Sequence, residues 1–79
     1  MKMDAVEERV RGVIASVLGI DGNSFELGAE FTADLGAESV QSIEMMAGFE
    51  EEFEIDMDED EALAVQTVGG AVEFIKKHL

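Results

Sequence analysis

The sequence predicts an all-α fold: a four-helix bundle of three longer helices and one short third helix, with a long ordered loop between the first two. Three observations predict it. Apolar residues recur at helical spacing, residues suited to capping precede the periodic stretches, and a 79-residue chain without cysteine has helical packing as its easiest route to a core. The length suits one domain over residues 1–79.

Asp4 can cap the first helix, with Glu7 three residues on in a box-like arrangement. Val6, Val10, Val13, Ile14 and Val17 fall on one helical face, and Gly19 ends the helix. Residues 20–38 lack a strong period but carry turn formers, Asp21-Gly22-Asn23, Gly28 and Gly36. Ile20, Phe25, Leu27, Phe31 and Leu35 are spaced as anchors, so the loop should lie across the core and be pinned to it. A second helix is expected from Ser39 to about Phe53. It has a stripe of Met45, Met46, Phe49 and Phe53, and a flanking group of Val40, Ile43 and Ala47. A short third helix should begin near Asp58 or Glu59 and carry Ala62, Leu63 and Val65. Thr67 should cap a fourth, with Val68, Ala71, Val72, Ile75 and Leu79 inward. Lys76 and Lys77 suit its last turn, whereas Gly69 and Gly70 weaken its start by roughly 1 kcal/mol each.

Charge narrows the function. Nineteen acids against five bases give a formal net charge of -14. Between Gly12 and Ile75 lie sixteen acids and no Lys or Arg. Such a surface repels phosphate backbones and anionic headgroups, which argues against nucleic acid and membranes as partners, and it attracts basic protein patches. With 47% hydrophobic residues in clear periods, a packed fold is expected rather than disorder. No apolar run approaches the roughly 20 residues of a membrane span. The start Met1-Lys2-Met3-Asp4 turns acidic too soon for a signal peptide. The expected setting is the cytoplasm.

No catalytic constellation emerges. The one histidine, His78, lies beside the C-terminus, so no Ser-His pair is credible and a frayed side chain is expected. Asp56-Met57-Asp58-Glu59-Asp60 imitates half a calcium loop. However, Glu61 stands where the turn needs glycine, and Thr67 where a bidentate glutamate is required. Gly48, inside the second helix, is read as a tolerated poor helix former on a solvated face.

One stretch carries more. Phe31-Thr32-Ala33-Asp34-Leu35-Gly36-Ala37-Glu38-Ser39-Val40 leads into Ile43-Glu44-Met45-Met46 and Phe49-Glu50-Glu51-Glu52-Phe53. This resembles the central motif of the acyl carrier proteins, an F-x-x-D-L-G-x-D-S-L segment bearing a modified serine. The resemblance runs through Thr67-Val68 and the final helix, covering nearly the whole chain. Here Glu38-Ser39-Val40 replaces the family's usual Asp-Ser-Leu, and Gln41 stands where an acid is common, which points to a specialised member.

The resemblance implies that a phosphopantetheinyl transferase attaches 4'-phosphopantetheine to Ser39, and that the arm's thiol carries acyl groups as thioesters. The protein would then be a carrier and not an enzyme, serving acyl-transferring and acyl-modifying enzymes of fatty-acid, lipid or polyketide biosynthesis. A chain without cysteine must borrow its thiol, and a helix start favours the negative charge of a phosphodiester. Most serines in such a position are only caps, and here both roles are compatible. Ser42 lies a turn inside the helix and lacks the preceding motif. Matching family positions imply an acyl pocket lined by Phe31, Met45, Met46, Phe49, Phe53, Met57, Ala62, Val65, Val68 and Ala71, residues that also read as core. They further imply a recognition face of Glu38, Val40, Glu44, Ala47, Glu50 and Glu51 that meets basic patches on partners. No metal is called for, and a monomer is expected. An aminoacyl or peptidyl carrier, or an acidic adaptor that never receives an arm, are the other readings.

Overall fold

The structure is a computed structural model that describes residues 4–79, so the reading of Met1-Lys2-Met3 as no signal peptide lies outside the described residues. The described residues form four helices: α1 (Ala5–Leu18), α2 (Ser39–Phe53), α3 (Glu59–Leu63) and α4 (Val68–Lys77). The all-α architecture, with its short third helix, is the one the sequence predicts.

Asp4 caps α1 by accepting from Val6 N–H at 2.7 Å. The expected box with Glu7 does not form, because Glu7 Oε2 instead takes the Arg11 guanidinium one turn on, at 3.0 Å. Gly19 stops the helix in the left-handed region (φ 68°), donating to the Ala15 carbonyl at 2.8 Å. Val10 and Ile14 are fully buried on the inner face, while Val6, Val13 and Val17 pack partly buried around them.

The loop from 19 to 38 is pinned by polar as well as apolar ties. Phe25 and Phe31 are buried, and Ile20 and Leu35 pack partly buried against the core. Leu27, expected as an anchor, is exposed; its backbone serves instead, its carbonyl accepting from Gly69 N–H at 2.7 Å. The same strip continues where Val68 N–H donates to the Ala29 carbonyl and Phe31 N–H to the Gln66 carbonyl, around a bridge between Glu30 and Thr67. This close approach explains Gly69, where a Cβ would meet the Leu27 carbonyl oxygen at 3.1 Å. Arg11 supplies the other tie. Its buried guanidinium donates to the Gly22 and Phe25 carbonyls and lies 5.0 Å over the Phe25 ring.

In α2, Met45, Phe49 and Phe53 are buried, whereas Val40, Ile43 and Ala47 face solvent. Gly48 does not sit on a solvated face. A Cβ there would stand 2.7 Å from Val13 Cγ1 of α1, so the glycine lets α1 and α2 pack closely. Arg9 of α1 pairs with Glu52 at 2.8 Å and lies 4.4 Å over the Phe53 ring. Asp58 caps α3, accepting from Asp60 and Glu61 N–H. Thr67 Oγ1 caps α4 by accepting from Gly70 N–H at 3.0 Å. Val68, Ala71, Val72 and Ile75 complete the core; Leu79, expected inward, lies beyond α4 and is exposed. His78 is also exposed, its Nδ1 2.9 Å from the Phe74 carbonyl oxygen. Among the described residues no helix is long and apolar enough to cross a membrane.

Candidate functional site

The turn into α2 is built by the segment that precedes it. Asp34 Oδ2 accepts from Glu30 N–H at 2.8 Å, and the Asp34 and Leu35 amides donate back to the Glu30 carbonyl, making a closed turn. Gly36 then takes a left-handed conformation (φ 68°), and Ala37, buried, donates to the Phe31 carbonyl at 2.8 Å. That contact fixes the direction from which the chain enters α2.

The cap is Glu38, in extended conformation, and Gln41 Oε1 reaches back to accept from Glu38 N–H at 2.9 Å. Ser39 is therefore the first residue inside the helix and not its cap. The consequence is chemical: its hydroxyl is released from capping duty. Ser39 is exposed, and among the described residues its Oγ makes no hydrogen bond. The first amides of a helix have no intrahelical partners, and the N-terminus carries the positive end of the helix dipole. A phosphodiester on Ser39 Oγ would meet that end, so the residues present fit the phosphopantetheine group. Ser42, by contrast, is half-buried, with its Oγ 3.4 Å from the Glu38 carbonyl oxygen.

Beside α2 lies a cavity of about 360 Å³. From α2 it takes Ser42, Met45, Met46 and Phe49, and from the preceding loop Phe31, Thr32 and Ala33. Met57, Ala62, Leu63 and Val65 form the side around α3, with Ala71 and Phe74 from α4. Ser42 stands three residues from Ser39, a rise of about 4.5 Å along the helix, so the cavity begins within one turn of the free hydroxyl.

Eight of the ten residues expected to line a pocket thus border one cavity: Phe31, Met45, Met46, Phe49, Met57, Ala62, Val65 and Ala71. Phe53 and Val68 do not; both are buried in the core shared with α1. Phe74 was not anticipated. It follows Ala71 by three residues, a spacing that puts both on one side of α4, but it lies off the stripe through Val68, Val72 and Ile75.

The expected recognition residues divide. Glu38, Val40, Glu44, Ala47 and Glu51 are exposed along α2. Glu50 is half-buried, and its Oε2 accepts from Met57 N–H at 3.0 Å. Among the described residues, no group of three His, Cys, Asp or Glu side chains gathers to hold a metal ion.

A helical bundle that presents one unengaged hydroxyl at a helix start, next to an apolar cavity, has the form of a carrier. Residues 8–75 match the family described as "Phosphopantetheine attachment site", and the chain belongs to that family. It is 41% identical over 75 residues to the acyl carrier protein of Sinorhizobium fredii and, equally, to that of Rhizobium meliloti, covering 95% of this chain and 96% of each relative. With the acyl carrier protein of Clostridium acetobutylicum it shares 42% identity over 73 residues, covering 92% of this chain and 95% of the relative. The role is that of an acyl carrier, with phosphopantetheine as the family's prosthetic group. Acyl carrier proteins carry rather than catalyse.

Proposed function

We propose that Ser39 Oγ is the attachment point of 4'-phosphopantetheine and that the cavity beside α2 shelters the acyl chain the arm carries. The observation that supports this is the freedom of the Ser39 hydroxyl at the head of α2, one turn from the cavity. When bound, the group supplies a thiol, which this cysteine-free chain lacks, for holding acyl groups as thioesters. The protein's own residues do the rest. Glu38 and Gln41 keep the cap closed so that the hydroxyl stays available. The first turn of α2 favours the negative phosphodiester. Met45, Met46, Phe49 and Met57 offer apolar surface, where each methylene withdrawn from water is worth about 0.8 kcal/mol.

The exposed face of Glu38, Val40, Glu44, Ala47 and Glu51 is the proposed docking surface for the phosphopantetheinyl transferase and for acyl-transferring and acyl-modifying enzymes. Basic patches on those enzymes would be drawn to it over long range, raising encounter rates without demanding tight binding. The chain itself has no catalytic part in this scheme. Mutual repulsion at a net charge of -14 favours a monomer, and a working thiol favours the reducing cytoplasm.

The test is incubation with coenzyme A and a broad-specificity transferase, followed by intact mass. One phosphopantetheine mass gain is expected in the parent and none in Ser39→Ala. A gain that persists in Ser39→Ala, or no gain with any transferase, would refute the assignment.

A further inference from the structure

The chain leaves α2 through a single residue. Glu54 and Ile55 N–H both donate to the Glu50 carbonyl, Ile55 at 3.2 Å, and Met57 N–H donates to Glu50 Oε2 at 3.0 Å. Three amides of the α2–α3 connection thus converge on Glu50. Glu54, which makes the turn, sits in the left-handed region (φ 54°, ψ 49°), the one non-glycine residue at positive φ among those described. That conformation disfavours residues with a side chain, so the connection needs a tie to hold it. Among the described residues, the bond from Met57 N–H to Glu50 is the only hydrogen bond made by Asp56 or Met57. Met57 in turn borders the cavity, as do Met46 and Phe49, which flank Glu50 on α2.

We infer that Glu50 is a positioning residue: it fastens the α2–α3 connection to α2 so that Met57 stands as a wall of the cavity, and so sets how much of a cargo chain the protein can shield. This rests on the acyl-carrier reading of that cavity. What Glu50 contributes is an acceptor oxygen directed at a backbone amide, unlike Glu44 and Glu51, which are exposed along the same helix. Glutamine offers the same acceptor at the same reach without the charge, and alanine offers neither.

The experiment uses the full chain in three forms: parent, Glu50→Gln and Glu50→Ala. Amide hydrogen exchange is read by NMR, and thioester hydrolysis is followed with acetyl and octanoyl groups loaded on the arm. In Glu50→Ala, exchange at Met57 should rise on the order of tenfold or more, as expected for losing a bond to a charged acceptor. Exchange at Val10 and Ile14 should change far less. The octanoyl thioester should lose its protection and hydrolyse about as fast as the acetyl one. Glu50→Gln, which keeps the acceptor but not its charge, should lie between the two in exchange and nearer the parent, and should keep octanoyl protection. The proposal is overturned if Glu50→Gln behaves like Glu50→Ala, if Met57 exchange is unmoved in Glu50→Ala, or if exchange rises while octanoyl protection persists. Met57→Ala removes the wall and leaves the tie. It should lose octanoyl protection while the amide at position 57 stays slow, and retained protection there refutes the inference even if Glu50→Ala does not fold. Failure of the arm to attach would appear in the mass measurement alone, since the exchange readout needs no arm.

Discussion

Replacing Gly48 by alanine sets two effects of similar size against each other. At an exposed position inside a helix, the change from glycine to alanine stabilises by about 1 kcal/mol. At this position the new Cβ would stand 2.7 Å from Val13 Cγ1. That is roughly 0.8 Å short of the ~3.5 Å at which carbon atoms attract. Valine in a helix holds nearly one χ1 rotamer, so Val13 has little freedom to turn aside. Nor can α1 easily retreat, because Val10 and Ile14 on its inner face are fully buried. Overpacking of this kind costs about 1–3 kcal/mol, which exceeds the propensity gain. The net expectation for Gly48→Ala is a loss of about 1 kcal/mol. In a domain of this size that lowers Tm by about 4–8 °C. Urea unfolding of Gly48→Ala, Val13→Ala and the double variant isolates the contact. With the valine methyls gone, Gly48→Ala should stabilise by about 1 kcal/mol, so the coupling between the sites is about 2 kcal/mol. If Gly48→Ala stabilises the parent, or the two changes add within about 0.5 kcal/mol, the close-packing account is wrong.

Two further outcomes follow from the polar ties. Arg11→Met keeps an apolar stem but leaves Glu7 unpaired and the Gly22 and Phe25 carbonyls without their donor. Breaking such a buried set from one side costs about 3–5 kcal/mol, out of roughly 4–12 kcal/mol expected in total for 79 residues; a loss below about 1 kcal/mol in urea would count against the role assigned to Arg11. At the N-terminal end of α1, the Lys76 ammonium and the Val6 amide hold the Asp4 carboxyl below its ordinary 3.8, and Asp4 raises Lys76 above its ordinary 10.5. The stability from Asp4 is therefore present above about pH 4 and lost as pH falls through the depressed folded value; that from Lys76 is present below about pH 10.5 and lost as pH rises through the raised one. Asn is an equally good cap, so Asp4→Asn should lower Tm at pH 7 while the difference from the parent shrinks toward pH 2; a difference that stays constant over that range would exclude the ion pair as its cause.

The helices were legible because each announces itself locally. Asp4, Asp58 and Thr67 are caps by residue type, Gly19 is a stop, and the spacing of Val10 with Ile14 or Met45 with Phe49 gives the inner faces. What escaped depends on contacts remote in sequence. Gly48 looks like a surface glycine until Val13 is brought against it, and Leu27 looks like an anchor until its backbone pairs with Gly69. Arg11 is one of a few bases at the chain ends in composition, but in the fold it ties α1 to a loop more than ten residues away. Glu7 shows the limit of local rules, since a box with Asp4 and a pair with Arg11 were both open to it and the buried arginine prevailed. At the candidate site, the motif singles out Ser39 as the expected residue but says nothing of the freedom of its hydroxyl. That comes from Glu38 taking the cap with Gln41 closing it, a substitution pattern that looked only like a departure from the family.

The cavity's walls are held with unequal strength, and this bears on the proposal that the cavity shelters the cargo. On the α1 side, α2 is fixed by the Gly48–Val13 approach, by Arg9 with Glu52, and by Phe49 and Phe53 in the common core. The strip from Leu27 to Phe31 is bonded along its backbone to residues 66–69. By contrast α3 is a helix of 5 residues with none fully buried, and among the described residues Asp56 and Met57 of the connection leading to it make no hydrogen bond except the one to Glu50. Local opening costs least where few apolar contacts and few backbone bonds resist it. On the proposed reading of the cavity, a longer chain entering it would displace α3 and Met57 while α2 keeps its place. Since α2 also carries Ser39 and the exposed acids, the docking surface proposed above would keep its shape whatever the cavity holds.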